Sequence, residues 1–163
     1  MKMKEDPVIS LSLDENSDPV LLENARNYLS RTLNRLMMVE LTEFLGYEKS
    51  ARSKQPNARN GFYRRPLKTP LGLIEVKIPR DRLGQFTPSI FPKYSRDNEK
   101  AGVLAYDLCQ AGFGQMEMYI LAQKHFGIRY SERAQSEMYE IITEEIDHLQ
   151  KEIRQENREV PAH

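Results

Sequence analysis

The chain has 163 residues, 24 Lys or Arg against 24 Asp or Glu for a formal net charge of zero, and 39% hydrophobic residues. That length suits one domain or two small modules, and the composition allows a modest core with wide solvated helix faces rather than a compact enzyme. One cysteine excludes an internal disulfide and, with three histidines, cannot build the usual zinc patterns; no apolar run nears the about 20 residues of a membrane span. No signal-peptide core opens the chain, so a soluble, cytoplasmic, nucleoid-associated protein is expected.

Residues 1–17 are polar and read as a mobile arm. Asp18-Pro19 then supplies an N-cap and a proline at the first helical position. Leu22, Ala25, Leu29, Leu33, Leu36, Leu41 and Leu45 follow at helical spacing up to Gly46. This predicts a helix from about 19 to 45, whose apolar stripe is a core or dimer face. From Gly46 to Asn60 periodicity is lost and Lys49, Arg52, Lys54 and Arg59 make a basic loop.

Residues 61–68 and 73–78 read as a β-hairpin around Thr69-Pro70-Leu71-Gly72. Ile74, Val76 and Ile78 share one face, Arg64, Arg65 and Lys68 lie toward solvent, and Pro66 places the first strand at an edge. Beyond Pro79 an extended segment is anchored by Phe86, Ile90, Phe91 and Tyr94. A helix marked by Val103, Leu104, Leu108 and Ala111 ends at Gly112; a second, marked by Met116, Tyr119, Ile120 and Phe126, ends at Gly127; a third begins near Ser131. Glycine-containing turns between three helices are the layout of a helix-turn-helix unit. Met138, Ile142, Ile146, Leu149 and Ile153 make a heptad-like seam, a short coiled coil or a docking face for a neighbouring helix.

The fold expected is therefore mainly α with a small β-hairpin. It divides into the arm, an N-terminal helix with the basic hairpin segment at 18–96, a helix-turn-helix-like unit with a long last helix at 97–157, and a tail at 158–163. The zero total charge conceals a basic centre: residues 51–100 hold 12 Lys or Arg against 4 Asp or Glu, while both flanks are net acidic. Such a tract can be an ordinary solvated surface, but its aromatic interleaving (Tyr63, Phe86, Phe91, Tyr94) suits nucleic acid. Arg59, Arg64, Arg65, Lys68, Arg80, Arg82, Lys93 and Arg96 are the phosphate-contact candidates, with Asp81 able to hold one neighbouring guanidinium and leave the other free. Asn60 suits adenine recognition and fits an ordinary turn equally well. Arg129, Arg133, Gln135 and Ser136 are the attractive base readers at the last helix. Glu144, Glu145, Asp147 and His148 point around their helix instead of converging on one ion, and no cofactor is expected. Cys109 is read as buried and His125 as a charge partner at a helix end.

Arg59-Asn60-Gly61 followed by Thr69, Gly72, Ile74, Val76, Ile78, Pro79, Arg80, Asp81, Arg82, Gly84, Phe86, Pro88, Phe91, Pro92, Lys93, Tyr94 and Arg96 resembles the amino-terminal part of Mutator-type bacterial insertion-sequence transposases, over roughly residues 20–142. The resemblance implies binding of double-stranded DNA at terminal inverted repeats, with Ser131 and Ser136 matching a serine step of a homeodomain-like unit. It also implies strand cutting by three carboxylates and two magnesium ions on a domain that follows the matched region, so 1–163 by itself is expected to be a truncated binding part and no enzyme. A homodimer, or pairing with full-length transposase as a regulator, is the alternative function expected of the helices.

Overall fold

A computed structural model describes residues 18–48, 56–91, 99–110, 115–127 and 130–159. The architecture is mainly α with one two-stranded antiparallel hairpin: α1 (Pro19–Leu45), β1 (Arg59–Thr69), β2 (Gly72–Asp81), α2 (Glu99–Gln110), α3 (Gln115–Phe126) and α4 (Glu132–Glu159).

Helix α1 starts where the sequence places it. The Asp18 carboxylate accepts hydrogen bonds from Val20 N at 2.8 Å and Leu21 N at 3.3 Å, satisfying two of the donors a helix start leaves open. Gly46 ends it with a left-handed φ of 81°, donating its N–H to Thr42 O at 2.8 Å. Between these caps α1 is buried on more than one side, because the hairpin packs against it on one flank and α4 on the other. Hence Tyr28, Thr32, Met37, Val39 and Glu40 are buried along with Leu29, Leu33, Leu36 and Leu41. The stripe is therefore a core face. Thr32 resolves its burial by donating to Tyr28 O at 2.7 Å. Tyr28 donates across the core to Leu108 O at 3.4 Å, and burial pushes its phenol well above the usual range.

The hairpin register pairs Tyr63 with Ile78, Arg65 with Val76 and Leu67 with Ile74. Alternation then turns Leu67, Ile74, Val76 and Ile78 inward, where all four are buried. The turn at Pro70-Leu71 is closed by Thr69 Oγ1, which donates to Gly72 O at 2.7 Å, and Gly72 takes a φ of 109° that a β-carbon would disfavour. Helix α1 also covers the outer edge of β2. Ser30 Oγ donates to Glu75 O at 2.8 Å, Asn34 Oδ1 accepts from Lys77 N at 2.7 Å, and Arg26 donates to Leu71 O at 3.3 Å. Two polar side chains thus give β2 backbone groups their partners, and Arg26 does so for the turn.

Helix α4 is one continuous helix. It carries both the third helix start and the heptad-like seam, as the long last helix read from the sequence does, and it packs antiparallel to α1. The partner of its seam is α1 of the same chain, with Met138, Ile142, Ile146, Leu149 and Ile153 all buried. Arg31 reaches Glu145 at 3.0 Å, and Arg35 reaches Glu145 at 3.0 Å and Glu144 at 2.8 Å. Burial opposes the Arg35 charge, yet its bonds to Glu144 and Glu145 hold its pKa above the usual value.

Helices α2 and α3 differ from the sequence expectation in the faces they bury. Leu104, Leu108, Leu121, Ala122 and Phe126 point inward, whereas Val103, Tyr119 and Ile120, read as part of the apolar stripes, are exposed. Short helices leave room for several apolar arcs, and here the small Ala122 takes one of the inner positions. Asp107 joins the pair, lying 2.8 Å from both Lys124 Nζ and His125 Nε2. Burial opposes its ionisation, but these two partners hold its carboxyl below the usual carboxylate range. Cys109 is buried, and burial pushes its thiol up to about 12. One hydrophobic cluster joins α1, the hairpin and α2 to α4, running across the boundary read between residues 96 and 97.

Candidate nucleic-acid interface

The strand alternation that buries Ile74, Val76 and Ile78 necessarily turns Arg64, Pro66, Lys68, Leu73, Glu75 and Lys77 to the opposite face. All six are exposed, as is Phe62. Across the strands Arg64 stands opposite Lys77, Pro66 opposite Glu75, and Lys68 opposite Leu73. Lys77 also lies over the Phe62 ring, 5.0 Å from its centroid. Among the described residues the one carboxylate on this face is Glu75, 3.6 Å from Arg64 and more than half exposed, so it neutralises little.

The open end of the hairpin adds Arg80 and Arg82, both exposed. Arg80 stacks its guanidinium 4.6 Å from the Tyr63 ring centroid, which fixes the planar group while leaving its N–H edge available. Asp81, between them, does not hold either arginine among the described contacts. It is buried and accepts from Asn57 Nδ2 at 2.9 Å, Gln85 N at 2.9 Å and Phe86 N at 3.1 Å. Burial opposes its charge, but those hydrogen bonds prevail and hold its carboxyl below the usual range. The expected Arg–Asp pair is thereby corrected: Asp81 shapes the turn after β2, and neither flanking guanidinium is tied to it.

Two other candidates have partners inside the chain. Arg59 donates through Nη2 to Thr42 Oγ1 at 2.9 Å and Tyr47 O at 2.8 Å, and it lies over the Tyr47 ring, clamping the start of β1 to the end of α1. Arg65 is half-buried over the Phe91 ring at 5.1 Å. Asn60 is exposed beside Gly61, whose φ of 68° lies within the irregularity between Arg59 and Phe62. Lys93, Arg96 and Arg129 lie outside the described residues.

At the start of α4, Ser131 Oγ accepts from Ala134 N at 3.2 Å and so acts as a cap. Gln135 donates to Tyr130 O at 2.7 Å and Gly127 O at 3.2 Å and accepts from Gln123. Arg133 is largely exposed but reaches Glu48 at 3.0 Å, and Ser136 is exposed. Glu43, Glu48, Glu132, Glu137 and Glu140 are all exposed around this helix start or along it. Among the described residues no cluster of His, Cys, Asp or Glu is placed to hold a metal ion. Glu144 and Glu145 are instead engaged by Arg35 and Arg31, and His148 lies 3.0 Å from Glu152.

The hairpin candidates Arg64, Lys68, Arg80 and Arg82 therefore lie exposed along one strand pair, Lys68 near its turn and Arg80 and Arg82 at its open end, while Arg133, Gln135 and Ser136 stand at the start of α4 among exposed carboxylates. Sequence reading missed Lys77. Its period-two step from Glu75 marked it as outward, but only the strand register shows that it faces Arg64.

The family profile described as "Transposase, Mutator family" matches residues 8–157. The transposase for insertion sequence element IS905 of Lactococcus lactis is 34% identical over 108 residues, 65% of this chain and 28% of its own length. That for IS1201 of Lactobacillus helveticus is 36% identical over 108 residues, 65% of this chain and 29% of its own length. That for IS256 in transposon Tn4001 of Staphylococcus aureus is 38% identical over 78 residues, 47% of this chain and 20% of its own length. The chain matches less than a third of the length of these relatives.

Proposed function

Since the chain belongs to the Mutator family of transposases, we propose that residues 1–163 form a DNA-binding part that recognises the terminal inverted repeats of an insertion element. The observation that carries this reading is the exposed basic hairpin. Residues 59–82 contain seven Lys or Arg and two acidic residues, and one of those two, Asp81, is buried in a turn. Arg64, Lys68, Lys77, Arg80 and Arg82 remain at the surface. A row of cations of this density lowers its own repulsion by displacing the counterions of a polyanion, which gives an affinity that falls steeply with salt.

In this function α1 is the rigid support. It fixes the hairpin through the inner apolar face and the edge hydrogen bonds, so the cations are presented on an ordered strand pair and not on a loop. Pairing with a second transposase chain through the α4 seam finds no support, because α1 already fills that seam.

The test is titration of a duplex with the purified chain at several salt concentrations, comparing it with a variant carrying Arg64→Gln, Lys68→Gln, Arg80→Gln and Arg82→Gln. The variant is expected to lose about three to four units of the slope of log affinity against log salt. Unchanged affinity and slope would overturn the reading.

A further inference from the structure

We infer that the hairpin itself, and not the start of α4, enters the major groove and contacts base edges, with Arg64 and Lys77 at the centre of the reading face. This rests on the DNA-binding reading above and goes beyond it by naming the element that selects sequence.

Shape gives the first argument. A major groove about 12 Å wide admits a two-stranded β-ribbon, and two strands about 4.8 Å apart with one layer of side chains fit that width. One face of this ribbon is packed on the core, and the other is uncovered along its whole length from Phe62 to Lys68 and from Leu73 to Lys77. The eleven residues of β1 extend about 36 Å, close to one helical turn of duplex.

Charge and chemistry give the second. Arg64 and Lys77 are directly opposed like charges, an arrangement that costs stability unless an anionic or acceptor-rich partner lies between them. Guanine presents O6 and N7 as adjacent acceptors in the major groove, the pair that an arginine fork or a lysine meets best. Phe62 and Leu73, 51% and 65% exposed, add apolar contacts of the kind that a thymine methyl group accepts. Arg80 and Arg82 at the open end and Lys68 near the turn are then placed to hold phosphates on either side.

The α4 start lacks both properties. Gln135 uses its amide on Tyr130, Gly127 and Gln123, Ser131 uses its hydroxyl as a cap, and Arg133 faces Glu48. The exposed carboxylates of Glu43, Glu48, Glu132, Glu137 and Glu140 would each be pressed toward phosphates if this end were inserted.

The experiment is selection of bound duplexes from a randomised pool with the whole chain, followed by dimethyl sulfate footprinting of guanine N7 on the enriched site. Arg64→Ala and Lys77→Ala are compared with Arg82→Ala and with an Arg133→Ala, Gln135→Ala double variant, each checked for native helix content. Arg64→Ala and Lys77→Ala are expected to erase preference at one or two motif positions, to expose guanine N7 there, and to cut the ratio of specific to non-specific affinity about tenfold or more. Arg82→Ala is expected to weaken all duplexes alike, and the double variant to keep the motif. A motif that follows Arg133 and Gln135, or one untouched by Arg64→Ala and Lys77→Ala, overturns the inference and leaves DNA binding standing. Binding without enrichment does the same, whereas no binding by the unsubstituted chain overturns the DNA-binding reading and this inference together.

Discussion

Arginines occur on two surfaces of this protein under opposite conditions. On α1, Arg31 and Arg35 meet Glu144 and Glu145 across the contact with α4, and Glu145 is buried. On the hairpin, Arg64 has one exposed partner at 3.6 Å, while Arg80 and Arg82 flank an aspartate that is turned inward to other bonds. The residue type is the same, yet the first pair is committed to folding and the second set faces solvent. Availability for a ligand is decided by what each guanidinium already touches, and a count of basic residues does not reveal it.

The sharpest way to break this contrast is at Glu145. Glu145→Gln removes the shared carboxylate and leaves Arg31 with the half-buried Glu152 and Arg35 with the exposed Glu144. A loss of about 1–3 kcal/mol in urea unfolding is expected, with duplex affinity unchanged once the protein is folded. A fall in affinity without loss of stability would contradict the division between the two surfaces.

Asp81 provides a second, smaller effect with a pH signature. Because the folded state holds its carboxyl below the usual carboxylate value, its stabilising contribution is complete above about pH 4 and disappears as the pH falls through the lowered folded value. Asp81→Asn is expected to cost about 1–2 kcal/mol at neutral pH and to flatten the acid limb of stability relative to the parent chain. Equal acid limbs in the two proteins would show that Asp81 does not hold the turn in its ionised form. The smallest stability effect is expected at Arg64→Gln, within about 0.5 kcal/mol of the parent by thermal unfolding, since its partner is exposed and its neighbour Lys77 has the same sign. A larger loss would make Arg64 a structural residue.

Much of the framework was legible because local chemistry and global packing agree there. Asp18-Pro19 and Gly46 bound α1, and the alternation of Ile74, Val76 and Ile78 defines the inward face of β2. The sequence could not show that α1 is enclosed from two sides, which is why Glu40 and Thr32, off the leucine stripe, are nevertheless buried. Glu40 accepts from Ser89 N at 2.9 Å and from the Tyr130 hydroxyl, bonds that join residues far apart in the chain. The same limit applied to Asp81, whose neighbours Arg80 and Arg82 suggested an ion pair although the nearest donors in space are Asn57 and two backbone N–H groups. The exposed side of α3 was misread for a related reason: Tyr119 and Ile120 are apolar, but the face that packs inward carries Leu121, Ala122 and Phe126.

The bonds from Ser30 and Asn34 to β2 have a consequence for assembly. A two-stranded sheet ordinarily offers two templates for a further strand. Here one is closed by the side chains of α1, and the other is interrupted by Pro66, which has no N–H to give, and by the irregularity near Gly61. The sheet therefore resists growth by strand addition, so copies of the protein at high local concentration do not recruit one another into intermolecular β-structure.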